Sequence, residues 1–116
     1  MVVHSRLSNA DIDTLFRALA DTTRRDIVAR LADAPASVST LAARYDMSFA
    51  AVQKHVAVLE EAGLVSKKSV GRERIVSGNP AQLARARAAL TQLEELWRAR
   101  FSQLDAVLDQ PSPKEK

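Results

Sequence analysis

The chain has 116 residues, 47% of them apolar and 27% charged, which is the size and balance of one globular domain, since such domains cluster at about 100–150 residues. Five aromatic residues make its core aliphatic, and a net charge of +3 permits an anionic partner without demanding one. The absence of cysteine excludes disulfides, thiolate metal sites, Fe–S clusters and cysteine nucleophiles, and points to a reducing, cytoplasmic setting. A domain this small has a thin core and gains from pairing with a second copy. Residues 1–8 hold no apolar h-region and are expected to be a flexible leader. The uncharged run Ala34–Ala43 is polar and far too short to cross a bilayer, so neither secretion nor a membrane partner is expected.

In chain order, Ser8-Asn9-Ala10-Asp11 has the shape of a capping box, and Ile12, Leu15, Phe16 and Leu19 follow at helical spacing. Asp21 and Thr22 can cap a second helix with Ile27, Val28 and Leu31 on its apolar stripe, Arg24, Arg25 and Arg30 on its wet side, and Pro35 beyond its end. Ser39 is expected to cap a short helix through Leu41, Ala42 and Tyr45. After Asp46-Met47, Ser48 opens a longer helix that runs to Gly63. Its apolar face is Val52, Val56, Leu59 and Ala62, while Phe49, Ala50, Gln53, Lys54, Ala57, Glu60 and Glu61 fall elsewhere, almost free of acid over the first turns.

Leu64-Val65 and Ile75-Val76 read as two short strands around a bend at Val70-Gly71-Arg72-Glu73. Asn79 then caps a last helix with Pro80 at its first position. Leu83, Leu90, Leu93, Trp97, Phe101, Leu104 and Leu108 recur along it at steps of seven, three and four. At about 30 residues it reaches roughly 45 Å, against a radius of gyration near 13 Å for a body of about 100 residues. Such a helix carries apolar surface that one copy cannot cover, so a homodimer is expected, with Ile12, Leu15, Phe16, Leu90, Leu93, Trp97, Phe101, Leu104 and Leu108 at its interface. The folded domain is expected over 9–109, followed by a disordered tail at 110–116.

Helix, helix, short helix, tight turn, capped helix, basic hairpin, long helix: this order describes a mainly α fold with a small β-hairpin, a winged helix-turn-helix. A helix that enters a DNA groove needs short side chains for close approach and a few donors for base edges, with cations nearby for phosphates. Ser48, Phe49, Gln53, Lys54 and His55 supply the helix side, and Lys67, Lys68, Arg72 and Arg74 the wing. Between Ser66 and Arg74 those four cations face Glu73 alone, so the hairpin matches the charge of the whole chain. Double-stranded DNA is therefore the expected partner. Ser48 serves as cap and can add a phosphate contact. Gln53 suits a bidentate bond to adenine, Lys54 suits phosphate before guanine, and Phe49 either touches a thymine methyl or covers the turn. His55 is either packed at the edge of the stripe beside Val52 and Leu59 or a DNA contact.

Three stretches, Leu19-Ala20-Asp21-Thr22-Thr23-Arg24-Arg25, Met47 to Val65 and Gly71-Arg72-Glu73-Arg74, resemble the ArsR family of bacterial winged-helix repressors. The resemblance implies a dimer held by first and last helices and repression at palindromic operators, and His55 matches a histidine that the family carries in this helix. Arg24 and Arg25 match its paired arginines, but Asp21 and Asp26 are expected to absorb them in surface ion pairs. The family's metal sites are not expected here: Thr40–Tyr45 offers no thiolate and the last helix no histidine, and Asp105 and Asp109, one turn apart, read as solvated charge. No cofactor is expected, and an inducing ligand is not specified; Trp97 is a dimer or core residue, with a ligand pocket near the last helix as the alternative. Catalysis is not expected either, since the two histidines, His4 and His55, accompany no phosphate loop or nucleophile motif. A winged-helix module that binds protein would be favoured by an acidic or strongly apolar outer face on the Ser48–Ala62 helix, and this face is neutral to basic over its first half.

Overall fold

A computed structural model describes residues 7–109. The expected loose leader and tail lie outside the described residues, apart from Leu7 and Ser8. These two belong to the fold: Leu7 packs against the core, and Ser8 caps the first helix.

That helix, α1 (Asn9–Leu19), starts with the expected capping box. The Asp11 amide donates to Ser8 Oγ at 3.1 Å, and the Ser8 amide donates to Asp11 Oδ2 at 3.4 Å. Next, α2 (Thr22–Leu31) is capped by Asp21, whose carboxylate accepts from the Arg24 amide at 3.0 Å. That bond to the ionised form holds the Asp21 carboxyl below its ordinary range.

The short helix α3 (Val38–Ala42) corrects the expected cap: it is Ser37, whose Oγ accepts from the Thr40 amide at 3.0 Å and donates to Thr40 Oγ1 at 2.9 Å. The reason lies one residue earlier. Ser37 ends a two-residue strand, β1 (Ala36–Ser37), and keeps the extended backbone a cap needs, whereas Ser39 is already helical. The helix also stops before Tyr45, which crosses to α2 and donates to Asp26 Oδ2 at 2.6 Å. After the turn, Ser48 caps α4 (Phe49–Glu61) by accepting from the Ala51 amide at 3.0 Å. Gly63, at φ +80, ends it as the sequence suggests. The Gly63 and Leu64 amides donate back to the Glu60 and Leu59 carbonyls in the double bond pattern of a Schellman stop.

The hairpin is longer than expected. Strands β2 (Val65–Val70) and β3 (Glu73–Gly78) pair over their full length, and β1 adds a third strand in the order β1-β3-β2, all antiparallel. A strand of two residues has no periodicity to read, which is why β1 escapes the sequence. Gly71 at φ +63, with no positive φ at Arg72, gives the two-residue loop the sign pattern of a type II′ turn. The last helix, α5 (Pro80–Asp109), begins after Asn79, whose side chain accepts from the Gln82 amide at 3.4 Å and donates to the Gly63 carbonyl at 2.9 Å.

Residues through Ala86 form one compact unit and the rest of α5, from Arg87, a second. The first holds the core: Leu15, Ile27, Leu41, Val52, Val56, Leu59, Leu64 and Val76 are each essentially closed to solvent. The predicted core positions Val52, Val56 and Leu59 of α4, and Ala62 just past its end, are all buried. Leu15 is a correction: assigned to an interface between copies, it is only 1% exposed inside its own protomer and has no surface left to offer. In the second unit Leu90, Leu93, Trp97, Phe101, Leu104 and Leu108 are all more than half exposed. No helix among the described residues is long and apolar enough to cross a membrane.

Candidate nucleic-acid interface

The buried stripe of α4 fixes what the rest of the helix presents. With Val52, Val56 and Leu59 inside, Phe49, Gln53 and Ala57 run one turn apart along the adjoining flank of the helix, with Ala50 and Lys54 farther round, and all five are exposed. Ala50 and Ala57 leave the backbone accessible on either side of the Gln53 amide. Exposed Ser48 heads the helix, with no acidic residue in its first turn. Ser48, Phe49, Gln53 and Lys54, assigned to DNA contact from the sequence, are thus all exposed at the start of α4. Phe49 is 47% exposed, with the rest of its surface covered by the protein.

His55 is not part of that stripe. It is half-buried, and its Nδ1 lies 3.2 Å from Arg24 Nη1 and 4.0 Å from Asp21 Oδ1. The two contacts make opposite demands on Nδ1, because a guanidinium only donates and a carboxylate only accepts. The shorter contact has hydrogen-bond length and the longer does not, and a hydrogen bond from the Arg24 guanidinium requires Nδ1 to be the acceptor.

The paired arginines also behave differently from expectation. Arg24 Nε donates to the Ala18 carbonyl at 2.7 Å and its Nη2 to the Arg17 carbonyl at 3.1 Å. Arg25 Nη1 donates to the Leu19 carbonyl at 2.7 Å. Both side chains satisfy the end of α1, where carbonyls lack helical partners, instead of forming ion pairs with Asp21 and Asp26. Asp26 is taken by Tyr45 and by Arg30, whose Nε approaches Oδ2 at 2.8 Å. The Tyr45 hydroxyl and then Arg30 hold the Asp26 carboxyl below its usual range, while desolvation, followed by the bond to Asp26, raises the Tyr45 phenol. Sequence reasoning missed this use of Arg24, although two arginines placed just past a helix end are within reach of its last carbonyls.

The wing cations do not form one patch. Side chains alternate along a strand, and the register puts Lys67, Ser69, Arg74 and Val76 on one face and Lys68, Val70, Glu73 and Ile75 on the other. The first face carries Val65 and Val76 into the core. Lys67, on that face, is engaged by Glu60 of α4 at 3.4 Å, so it is partly neutralised as a phosphate contact. Lys68, Arg72 and Arg74 are exposed, and among the described residues none of them meets a carboxylate in an ion pair.

Comparison with known proteins gives the family of the chain. Residues 19–67 match the family described as Helix-turn-helix domain. The HTH-type transcriptional regulator Rv2034 of Mycobacterium tuberculosis (strain ATCC 25618 / H37Rv) is 41% identical over 85 residues, 73% of this chain and 77% of that protein. An ArsR-like transcriptional regulator from Rhodococcus sp. RHA1, known as a solved structure, is 31% identical with a TM-score of 0.78, over 88% of this chain and 96% of that one. The chain belongs to the ArsR family of winged helix-turn-helix transcriptional regulators.

A more distant ArsR-family neighbour shares the fold: the homodimeric winged helix-turn-helix DNA-binding domain of a possible regulator from Mycobacterium bovis, 21% identical with a TM-score of 0.60, over 75% of this chain and 82% of that one. Within the helix-turn-helix of this ArsR-family regulator, the tight turn from α3 to α4 is braced from α2 by Tyr45. The start of α5 is tied to the end of α4, since Gln82 Nε2 donates to the Ala62 carbonyl at 2.9 Å. Beside that joint lies an apolar cavity of about 400 Å³ lined by Val28, Leu31, Pro35, Leu64, Pro80 and Leu83 among others.

Proposed function

We propose that this regulator acts as a homodimeric repressor that places two α4 helices in successive major grooves of a near-palindromic site, about 34–36 Å apart. The observation that carries the reading is the exposed Phe49, Gln53, Lys54 and Ala57 surface behind the Ser48 cap, with no acidic residue in the first turn and beside a fully buried stripe. Gln53 reads a base, Ser48 and Lys54 hold phosphate, and Lys68, Arg72 and Arg74 grip flanking backbone. His55 acts from behind this surface. The second copy is supported by the apolar residues from Leu90 to Leu108 that one protomer leaves exposed, and by the homodimer of the Mycobacterium bovis neighbour. Ile12 and Phe16 of α1, half-buried, are proposed as further contacts to the second copy. No metal is needed, because neither α3 nor α5 carries the thiolate or histidine ligands of the metal-responsive members. The cavity at the start of α5 favours a second layer to this reading, in which a small apolar effector controls binding.

The test is retardation of genomic fragments by purified protein at low ionic strength, followed by selection of the fragments retained as salt is raised. A two-fold symmetric consensus with half-sites one helical turn apart is the expected result, and binding unaltered by chelator or zinc accompanies it. Failure to retard any duplex removes the assignment.

A further inference from the structure

The geometry points to Arg24 as the positioning residue of the DNA-reading helix, acting on it through His55. This rests on the reading that α4 enters the groove. Arg24 spends its guanidinium on two other elements: Nε and Nη2 hold the Ala18 and Arg17 carbonyls at the end of α1, and Nη1 holds Nδ1 of His55 at the middle of α4. Its own amide is fixed by the Asp21 cap at the start of α2. One side chain thereby joins three helices. Arg25, its neighbour, reaches the carbonyl of Leu19 in α1 and the hydroxyl of Thr22 in α2 and goes no further.

The point of attachment gives the clasp its consequence. His55 follows Gln53 by two residues, about 200° around the helix, so it sits behind the face that Gln53 presents. A bond on the back of α4 sets the roll and depth of the front. Base readout depends on bidentate geometry and feels such a displacement, whereas phosphate contacts from a flexible wing tolerate it. Lysine cannot replace the guanidinium, because a single ammonium cannot span three acceptors in a fixed fork.

The test compares Arg24→Lys, Arg24→Gln, His55→Ala and the Arg24→Gln/His55→Ala double variant with the wild-type chain. The quantity read is the ratio of affinity for the selected site to affinity for random duplex. Each single change is expected to lower this ratio on the order of tenfold, with binding to random duplex little altered. The double variant is expected to lose no more than the weaker single, since both remove one link. A purely structural role, in which Arg24 only completes α1, gives losses that add and overturns the proposal, as does an unchanged ratio in Arg24→Lys. Nitrogen-15 spectra of the wild-type imidazole supply a readout that no folding defect can disturb: an Nε2–H tautomer with Nδ1 unprotonated is expected, and an Nδ1–H tautomer overturns the clasp. If the wild type binds no duplex, the groove-reading assignment falls and this proposal with it, and the two failures are told apart because an Nδ1–H tautomer overturns the clasp whether or not duplex is bound.

Discussion

Single side chains divide here into those proposed to touch DNA and those proposed to hold them in place. Among the wing cations, Arg72 and Arg74 are exposed and Lys67 is drawn toward Glu60. Arg72→Ala and Arg74→Ala are therefore expected to weaken binding to every sequence and to flatten the salt dependence by about 0.9 in log–log slope for each phosphate no longer neutralised. Lys67→Ala is expected to change the slope by less, and filter-binding titrations across salt separate the three. Gln53→Ala differs in kind: it is expected to relax preference at one base pair by about 1–3 kcal/mol and leave the slope intact. Equal losses on random and selected duplex would falsify base reading by Gln53. The Tyr45–Asp26–Arg30 contact carries a pH signature. Asp26 is held below its ordinary value, so its contribution to stability is present above the unfolded carboxylate range, near 3.9, and is lost as pH falls through the lower folded value. Tyr45→Phe removes the largest cause of that depression. The stability gap between wild type and Tyr45→Phe, followed by denaturant unfolding at successive pH values, is expected to be widest at neutral pH and to narrow in acid; a constant gap excludes Asp26 from the effect.

Elements show how far a sequence announces its own structure. The caps at Ser8, Asp21 and Ser48, the stop at Gly63 and the buried stripe Val52–Val56–Leu59–Ala62 were all legible, because each is a local rule: one side chain, one backbone amide, one spacing. Strand β1 and the Ser37 cap were not legible, since a two-residue strand exists only because β3 is there to pair with it. The interface residues follow the same division. The outward stripe of α4 could be written down from helical periodicity, but the distribution of Lys67, Lys68 and Arg74 over two faces needs the hairpin register, and the Arg24–His55 bond spans 31 residues. Gly71 sets that register. Its φ of +63 suits glycine, and no atom lies within 4 Å of where a Cβ would stand, so Gly71→Ala meets backbone strain alone. It is expected to cost about 1–2 kcal/mol in urea unfolding and to weaken wing contacts through a distorted hairpin. No loss of stability would mean that the loop relaxes to another turn type.

For the molecule as a whole, the question is what brings two reading helices to a fixed spacing. Within one protomer, Leu90, Leu93, Leu96, Trp97, Phe101 and Leu104 leave a row of apolar side chains more than half exposed along 15 residues of α5. Exposure of so continuous a surface to water is unfavourable by about 25 cal/mol for each Å², and a second copy of the same helix offers the matching surface that two-fold symmetry requires. Leu93→Asp and Trp97→Asp place a carboxylate in the middle of that seam, where it must lose its hydration on association. Both variants are expected to sediment as monomers at concentrations where the wild type is a dimer. Because the core lies in residues up to Ala86, they are also expected to keep their helical content. The consequence for DNA is larger than for stability: with one reading helix per particle the second half-site no longer binds within the same complex, and operator affinity is expected to fall on the order of 10²–10⁴-fold while half-site affinity stays unchanged. Folded dimers of Leu93→Asp would move the interface off this face of α5. Monomers that still bind the full operator as tightly as the wild type would instead show that the two half-sites are read independently.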